Sequence, residues 1–248
     1  MSAVTKAIGL AKKLKHRYQD EIRARTPVYL SPVRRIERVS LPQRVCAMTF
    51  DDGPCRLPAN PSSDGTPLTL SLLESLEAFG AHGTFDIVGD TSENYPDKPG
   101  KAGSASWGGI RYDHYPDIHK DADGGAVHCP ELVQRILDGG HEITSHTYRH
   151  VLYGPKPLVY GGRQPFENLA EVTQDLRRLD ELMRRDYGYA IRLSRPPHYV
   201  DSTKDGFTSY DAHALLGYQY LAASFDGAGW LPLASFDAEV DAMLCPME

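Results

Sequence analysis

Two adjacent carboxylates at the tip of a short apolar run constrain this chain more than any other feature. Val45-Cys46-Ala47-Met48-Thr49-Phe50 has the character of a strand buried on both faces. It stops abruptly in Asp51 and Asp52, and the Gly53-Pro54 turn that follows cannot continue a strand. Like charges held side by side at a strand tip repel, which costs stability unless a cation or a shared proton offsets it. The alternative without chemistry is an Asx-type turn, in which one aspartate caps the loop backbone.

From this stretch onward, strand and helix patterns alternate. Strands are expected at Val45–Phe50, Thr84–Val88, His141–Ser145, Ala190–Ser194 and Gln219–Phe225. The first helix starts at Thr66-Pro67, carries Leu68, Leu72, Leu73, Leu76 and Phe79 on one face, and stops at Gly80. Pro130 opens a second helix that ends at Gly139-Gly140. Leu169, Val172, Leu176, Leu179 and Leu182 mark a long amphipathic third, closed near Gly188. Shorter helices are expected over Tyr210–Leu216 and Ser235–Leu244. Strand and helix in turn, five times over, predict an α/β fold with a parallel sheet or barrel and right-handed crossovers. One segment breaks the rhythm. Residues 91–127 are rich in Gly, Asp, Tyr and Pro without a period, and are read as an insertion over the site.

Charge divides the chain at residue 44. Residues 1–44 hold 11 Lys/Arg against 3 Asp/Glu, whereas residues 45–248 hold 16 against 30. Within the basic part, Val4, Ile8, Ala11, Leu14, Tyr18 and Ile22 share one helical stripe, so 1–44 is expected to be a basic helical extension. Two destinations for that stripe are open: the acidic body of the chain itself, or a membrane surface contacted through residues 1–25. The acidic remainder argues against nucleic acid as a partner. No membrane span and no signal-peptide apolar core are visible, and the four scattered cysteines suggest neither a zinc knuckle nor a disulfide framework. The expected compartment is the cytoplasm.

Residues with chemistry sit after the expected strands. His146-Thr147-Tyr148-Arg149-His150 follows the third strand; if this segment turns helical, both imidazoles reach one ion. Arg195-Pro196-Pro197-His198-Tyr199 follows the fourth strand and Asp226 the fifth. In parallel α/β folds the carboxyl ends of strands are where sites assemble.

T-F-D-D-G-P, H-T-Y-R-H and R-P-P-H-Y resemble the first three motifs of the polysaccharide deacetylase family, the NodB-homology domain. T-F-D-I-V-G and G-H-E-I-T-S-H resemble its strand signatures, and the likeness runs from about Val45 to Trp230. The resemblance implies a distorted (β/α) barrel and a divalent metal, usually zinc with cobalt or another transition metal as alternatives. It implies hydrolysis of an N-acetyl group, commonly on a glycan containing N-acetylglucosamine. Carried over by position, Asp51 resembles the general base and Asp52, His146 and His150 the metal ligands. Arg195 would hold Asp51 ionised. The backbone N–H of His198 would serve as an oxyanion donor, its imidazole being incidental or a substrate contact.

This sequence departs from the family pattern in four places. Gly229 stands where the family has the second Asp of D-x-x-D-W, and no histidine follows Trp230 to supply the family's general acid. Five strands are counted where the barrel needs about seven, so the domain over 45–248 is expected to be an incomplete barrel lacking its last strands. Asp86 replaces the second Phe of a T-F-F strand. An open edge at 219–225 would need a cover, either residues 231–248 or a second copy of the chain in a homo-oligomer. Two other functions stay in view: a non-carbohydrate amide hydrolase of the same superfamily, and a degenerate domain that binds metal and sugar without turnover.

Overall fold

In the computed structural model, residues 32–38, 45–58, 65–90, 106–107, 110–111, 123–155, 164–225 and 235–245 are described. The helix expected over Val4–Ile22, most of the 91–127 insertion, Asp226, Gly229 and Trp230 lie outside them. Among the described residues, β1 (Arg35–Ile36), β2 (Thr49–Asp51), β3 (Thr84–Ile87), β6 (Glu142–Ser145), β7 (Leu193–Ser194) and β8 (Gln219–Leu221) form one sheet in the order β1-β8-β7-β6-β3-β2. Every pairing in it is parallel. Within the insertion, β4 (Ser106–Trp107) and β5 (Ile110–Arg111) make a separate antiparallel pair.

The helices end where their sequences say they should. Helix α1 (Leu68–Ala78) joins β2 to β3, and α2 (Pro130–Asp138) starts on its proline ahead of β6. The longest helix, α3 (Leu169–Tyr187), is capped by the Asn168 side chain, which accepts from the Glu171 N–H at 3.0 Å, and stops at Gly188 with φ 64°. Its stripe of Val172, Leu176, Leu179, Leu182 and Met183 is buried, each side chain contributing roughly 1.5–3 kcal/mol relative to exposure. Helix α4 (Ser209–Leu216) carries a reciprocal capping box between Thr208 and Asp211, and α5 (Phe236–Leu244) is capped by Ser235. No described helix is long and apolar enough to cross a membrane.

From β2 to β8 the successive strands of this sheet lie side by side with a helix between them, so it winds in one direction, and β1 returns to pair with β8 at the far edge. Its curl is visible in a single side chain. Strands β7 and β2 are three strand spacings apart, roughly 14 Å in a flat sheet. Yet Arg195, directly after β7, donates to Asp51 and to Thr49 Oγ1 (3.0 Å) on β2, with Nε 3.4 Å from the Leu221 carbonyl of β8. Six strands thus curl into a half-barrel, the incomplete (β/α) barrel predicted, with α1 to α4 contributing to the core on its outer face. Phe85, Ile87 and Ile143 point outward into that core, while Asp86 and Thr144 point into the hollow.

Three local expectations are corrected. The run Val45–Phe50 is not buried on both faces, because β2 is an edge strand; Val45 is 63 % exposed. Strand β1 was not foreseen. It lies inside the basic 1–44 segment and pairs Arg35 with Tyr220 and Ile36 with Leu221. The edge of β8, expected to be open or covered by residues 231–248 or another copy, is therefore paired by the chain's own residues 34–36. Arg35 fastens this strand by stacking its guanidinium 5.0 Å over the Tyr220 ring.

Candidate metal centre

The carboxyl ends of β2, β6 and β7 meet over the hollow of the half-barrel. Asp51 closes β2, and Asp52 steps into a left-handed conformation (φ 69°) that turns its side chain toward β6. His146 follows β6 immediately, held by its N–H to the Ile87 carbonyl at 2.8 Å. The H-T-Y-R-H segment is not helical, so the two imidazoles are brought together by another route. Thr147 (φ 75°) and His150 (φ 55°) take left-handed conformations, and the loop folds both rings inward. Five non-glycine residues among those described have such φ values: Asp52, Thr147, His150, His198 and Tyr199. Each conformation costs on the order of 1–3 kcal/mol and persists only where its surroundings impose it. All five lie at the strand ends around the hollow.

Asp175 of α3 imposes the loop. Its buried carboxylate accepts from the Tyr148 N–H (2.7 Å), the Arg149 N–H (3.4 Å) and Arg149 Nε (2.7 Å). Gly89 makes room for the same loop, since a Cβ there would come within 2.2 Å of the Tyr148 ring. Asp175→Ala strands two loop amides and the half-buried Arg149 guanidinium. The expected cost is about 3–5 kcal/mol, the scale for breaking a buried ion pair, read as a lower urea midpoint with an unchanged slope. A midpoint equal to the parent's would show that the loop is held by other contacts.

Asp52, His146 and His150 converge. Asp52 Oδ1 is 3.3 Å from His146 Nε2 and 3.1 Å from His150 Nε2, and the three ligand atoms lie within 4.8 Å of one another. An ion about 2.1 Å from tetrahedrally placed donors sets them roughly 3.4 Å apart, so these spacings fit a zinc-sized cation. The far ring nitrogen of His146 suits the same purpose. Nδ1 faces two acceptors, the Arg195 carbonyl at 2.9 Å and Asp86 Oδ2 at 3.1 Å, so it carries the proton and leaves Nε2 for a cation. The Asp52 side chain is 67 % accessible, which leaves an open side for a further ligand.

The two aspartates sit in different fields. At Asp52, desolvation opposes ionisation, but the facing rings of His150 and His146 outweigh it and hold the carboxyl well below its usual range. Asp51 turns the other way, 3.9 Å from His146 Nε2 and ion-paired with Arg195. Burial raises the Asp51 pKa, His146 and Arg195 pull it down, and Asp86 and Asp52 push it up; the net shift is upward. Arg195 thus favours the ionised form of Asp51, as expected, while desolvation and the two neighbouring carboxylates oppose it more strongly. For His146, burial works against the charged form, yet Asp51, Asp86 and Asp52 raise its pKa well above the usual value.

The remaining predicted residues also border the hollow. Arg195 is buried, and its backbone N–H donates to the Ser145 carbonyl at 3.0 Å. Pro197–Tyr199 form the short turn expected of the Pro-Pro sequence, placing the His198 ring 5.8 Å from that of His150. Tyr199 Oη accepts from the Ala223 N–H at 3.0 Å, tying this turn to the end of β8. Sequence reasoning flagged Asp86 only as a departure and missed Asp175. The available signal for the latter was an acid on the apolar stripe of α3, beside Val172 and Leu176.

A half-barrel of parallel strands with an Asp-His-His cluster at its carboxyl ends defines the class. The chain belongs to the polysaccharide deacetylase family, whose model matches residues 38–220. Among curated proteins it is 24 % identical over 157 residues to a peptidoglycan-N-acetylglucosamine deacetylase of Bacillus cereus, covering 61 % of this chain and 35 % of that one. It is 23 % identical over 193 residues to the peptidoglycan-N-acetylmuramic acid deacetylase PdaC of Bacillus subtilis, covering 75 % and 29 %. The chain spans about a third of the length of these relatives. Among solved structures, a CE4 family pseudoenzyme from Bacillus anthracis superposes with a TM-score of 0.52 at 13 % identity, covering 88 % of this chain and 55 % of that one. A mutant of PdaC gives 0.50 at 18 %, covering 85 % and 72 %. These likenesses establish the fold.

Proposed function

We propose that this protein is a metal-dependent hydrolase that removes an N-acetyl group from a poly- or oligosaccharide containing N-acetylglucosamine. The observation that carries the reading is the division of labour between adjacent carboxylates: Asp52 faces two imidazoles, and Asp51 faces Arg195. Asp52, His146 and His150 would hold the cation, zinc in first place and cobalt as an alternative. When bound, it supplies Lewis-acid polarisation of the acetamide oxygen and acidifies water.

The chain's own groups do the rest. Asp51, raised in basicity by burial and by Asp86, accepts the proton of the attacking water. Arg195 fixes that carboxylate in place and stabilises its charged form. As oxygen adds to the carbonyl carbon and the C–N bond breaks, the departing amine takes a proton, leaving acetate and a free amino sugar. The His198 imidazole, on the rim beside His150, is the group we assign to give that proton, and its backbone N–H is assigned to the developing oxyanion. The peptidoglycan deacetylases named above support a glycan as the substrate class.

A second reading has its own observation. Gly229 stands where the family pattern has an aspartate, which favours a domain that binds metal and sugar without turnover. Acetate release from chitooligosaccharides with added zinc or cobalt separates the readings. Acetate in step with free amine is expected. Sugar binding without acetate would leave the non-catalytic reading; activity on a small amide but no glycan would point to the non-carbohydrate alternative.

A further inference from the structure

We propose that Asp86 is a positioning residue of the metal centre. Its carboxylate holds the His146 ring with Nε2 turned to the cation and keeps the Arg195 guanidinium extended toward Asp51. The inference rests on the centre assigned under Proposed function. The sequence supplies it through a duplication: Thr49-Phe50-Asp51 on β2 and Thr84-Phe85-Asp86 on β3 are the same tripeptide, paired residue by residue. Phe50 and Phe85 stack outward with centroids 5.0 Å apart, so Asp86 must point inward beside Asp51. The next strand continues the row with Thr144, whose hydroxyl donates to Asp86 Oδ1 at 2.5 Å.

Asp86 is fully buried, and a carboxylate in that position is costly unless cations face it. The Arg195 guanidinium supplies that charge, its Nε 3.7 Å from Oδ2, and the Nδ1–H of the His146 ring faces the same oxygen at 3.1 Å. Among the described residues Oδ2 has no aligned hydrogen-bond donor, so Asp86 acts on Arg195 through charge and on the His146 ring through the dipole of its N–H. Asp51, Asp86 and His146 also lie within 4.8 Å of one another. They do not make a second cation site, because Arg195 bridges the two carboxylates and these meet opposite nitrogens of the ring. An apolar residue would fill this space without desolvating a charge. What the carboxylate adds is a fixed orientation and greater donor strength for His146, the role outer-shell carboxylates play at metal-bound imidazoles.

The test compares zinc affinity of the metal-free parent chain and Asp86→Asn by competition with a chromophoric chelator. Asp86→Asn is expected to bind zinc about 10–100-fold more weakly. At saturating zinc its kcat is expected to fall while KM stays close to the parent's, since Asp86 reaches no substrate. If Asp86→Asn fails to fold by circular dichroism, Thr144→Val replaces it. That variant keeps the charge but frees Oδ1, and a smaller weakening in the same direction is expected. Zinc affinity within about twofold of the parent in the folded variant overturns the inference and leaves the centre standing. A parent chain that takes up no zinc overturns both.

Discussion

Asp52→Ala is expected to empty the metal centre. Asp52 is the one carboxylate of the three proposed ligands, and its Oδ1 is the atom shared by the two imidazoles, 3.1 and 3.3 Å away. Two neutral rings without it offer a divalent cation no compensating charge. The loss of affinity should exceed the roughly 100-fold upper end seen on removing an outer-shell partner. Alanine at φ 69° adds a backbone penalty of about 1–2 kcal/mol, which an aspartate tolerates better. Asp52→Asn is therefore the paired variant: it keeps the turn residue and removes the charge. Metal content after dialysis against trace zinc should be near zero for Asp52→Ala and strongly reduced for Asp52→Asn. Zinc content equal to the parent's in both would mean that the cation sits elsewhere.

What could be read in the sequence was local. The apolar run stopping in two acids, the histidines four apart and the Arg-Pro-Pro turn each lie within a few residues, and each turned up at the same end of the sheet. The helices were legible because their signals were strong: an apolar stripe over 19 residues in α3, with Asn168 before it and Gly188 after it. What could not be read depends on partners distant along the chain. Strand β1 is two residues long and has no period of its own; it exists because β8 offers it backbone partners 185 positions away. The H-T-Y-R-H loop could be read from spacing only conditionally: were it helical, both imidazoles would reach one ion. Its left-handed course is imposed by Asp175, 27 positions beyond Tyr148. Asp86 was visible as an odd residue in a strand signature, but its place beside Asp51 follows only from the register of β2 on β3. The opposing influences on Asp51 were hidden for the same reason: Arg195 was visible in the sequence as a counter-charge, whereas burial and the proximity of Asp86 are products of the curl.

Asp51→Asn is expected to separate chemistry from binding. The asparagine keeps the shape of the side chain and loses only the ability to take a proton. Arg195 retains Thr49, the Leu221 carbonyl and Asp86 as neighbours, so the guanidinium is not left without a facing acceptor. Zinc content should stay near the parent's, because Asp51 Oδ2 lies 3.9 Å from His146 Nε2 while Asp52 makes the closer approaches. Turnover should fall by about 10²–10⁴, the usual contribution of a positioned base. That fall should appear in kcat with little change in KM, since the group acts on the attacking water rather than on the sugar. Lost zinc together with lost activity would instead make Asp51 a ligand and exchange the parts given to the two aspartates. Full activity with bound zinc would require a group other than Asp51 to take the proton of the attacking water.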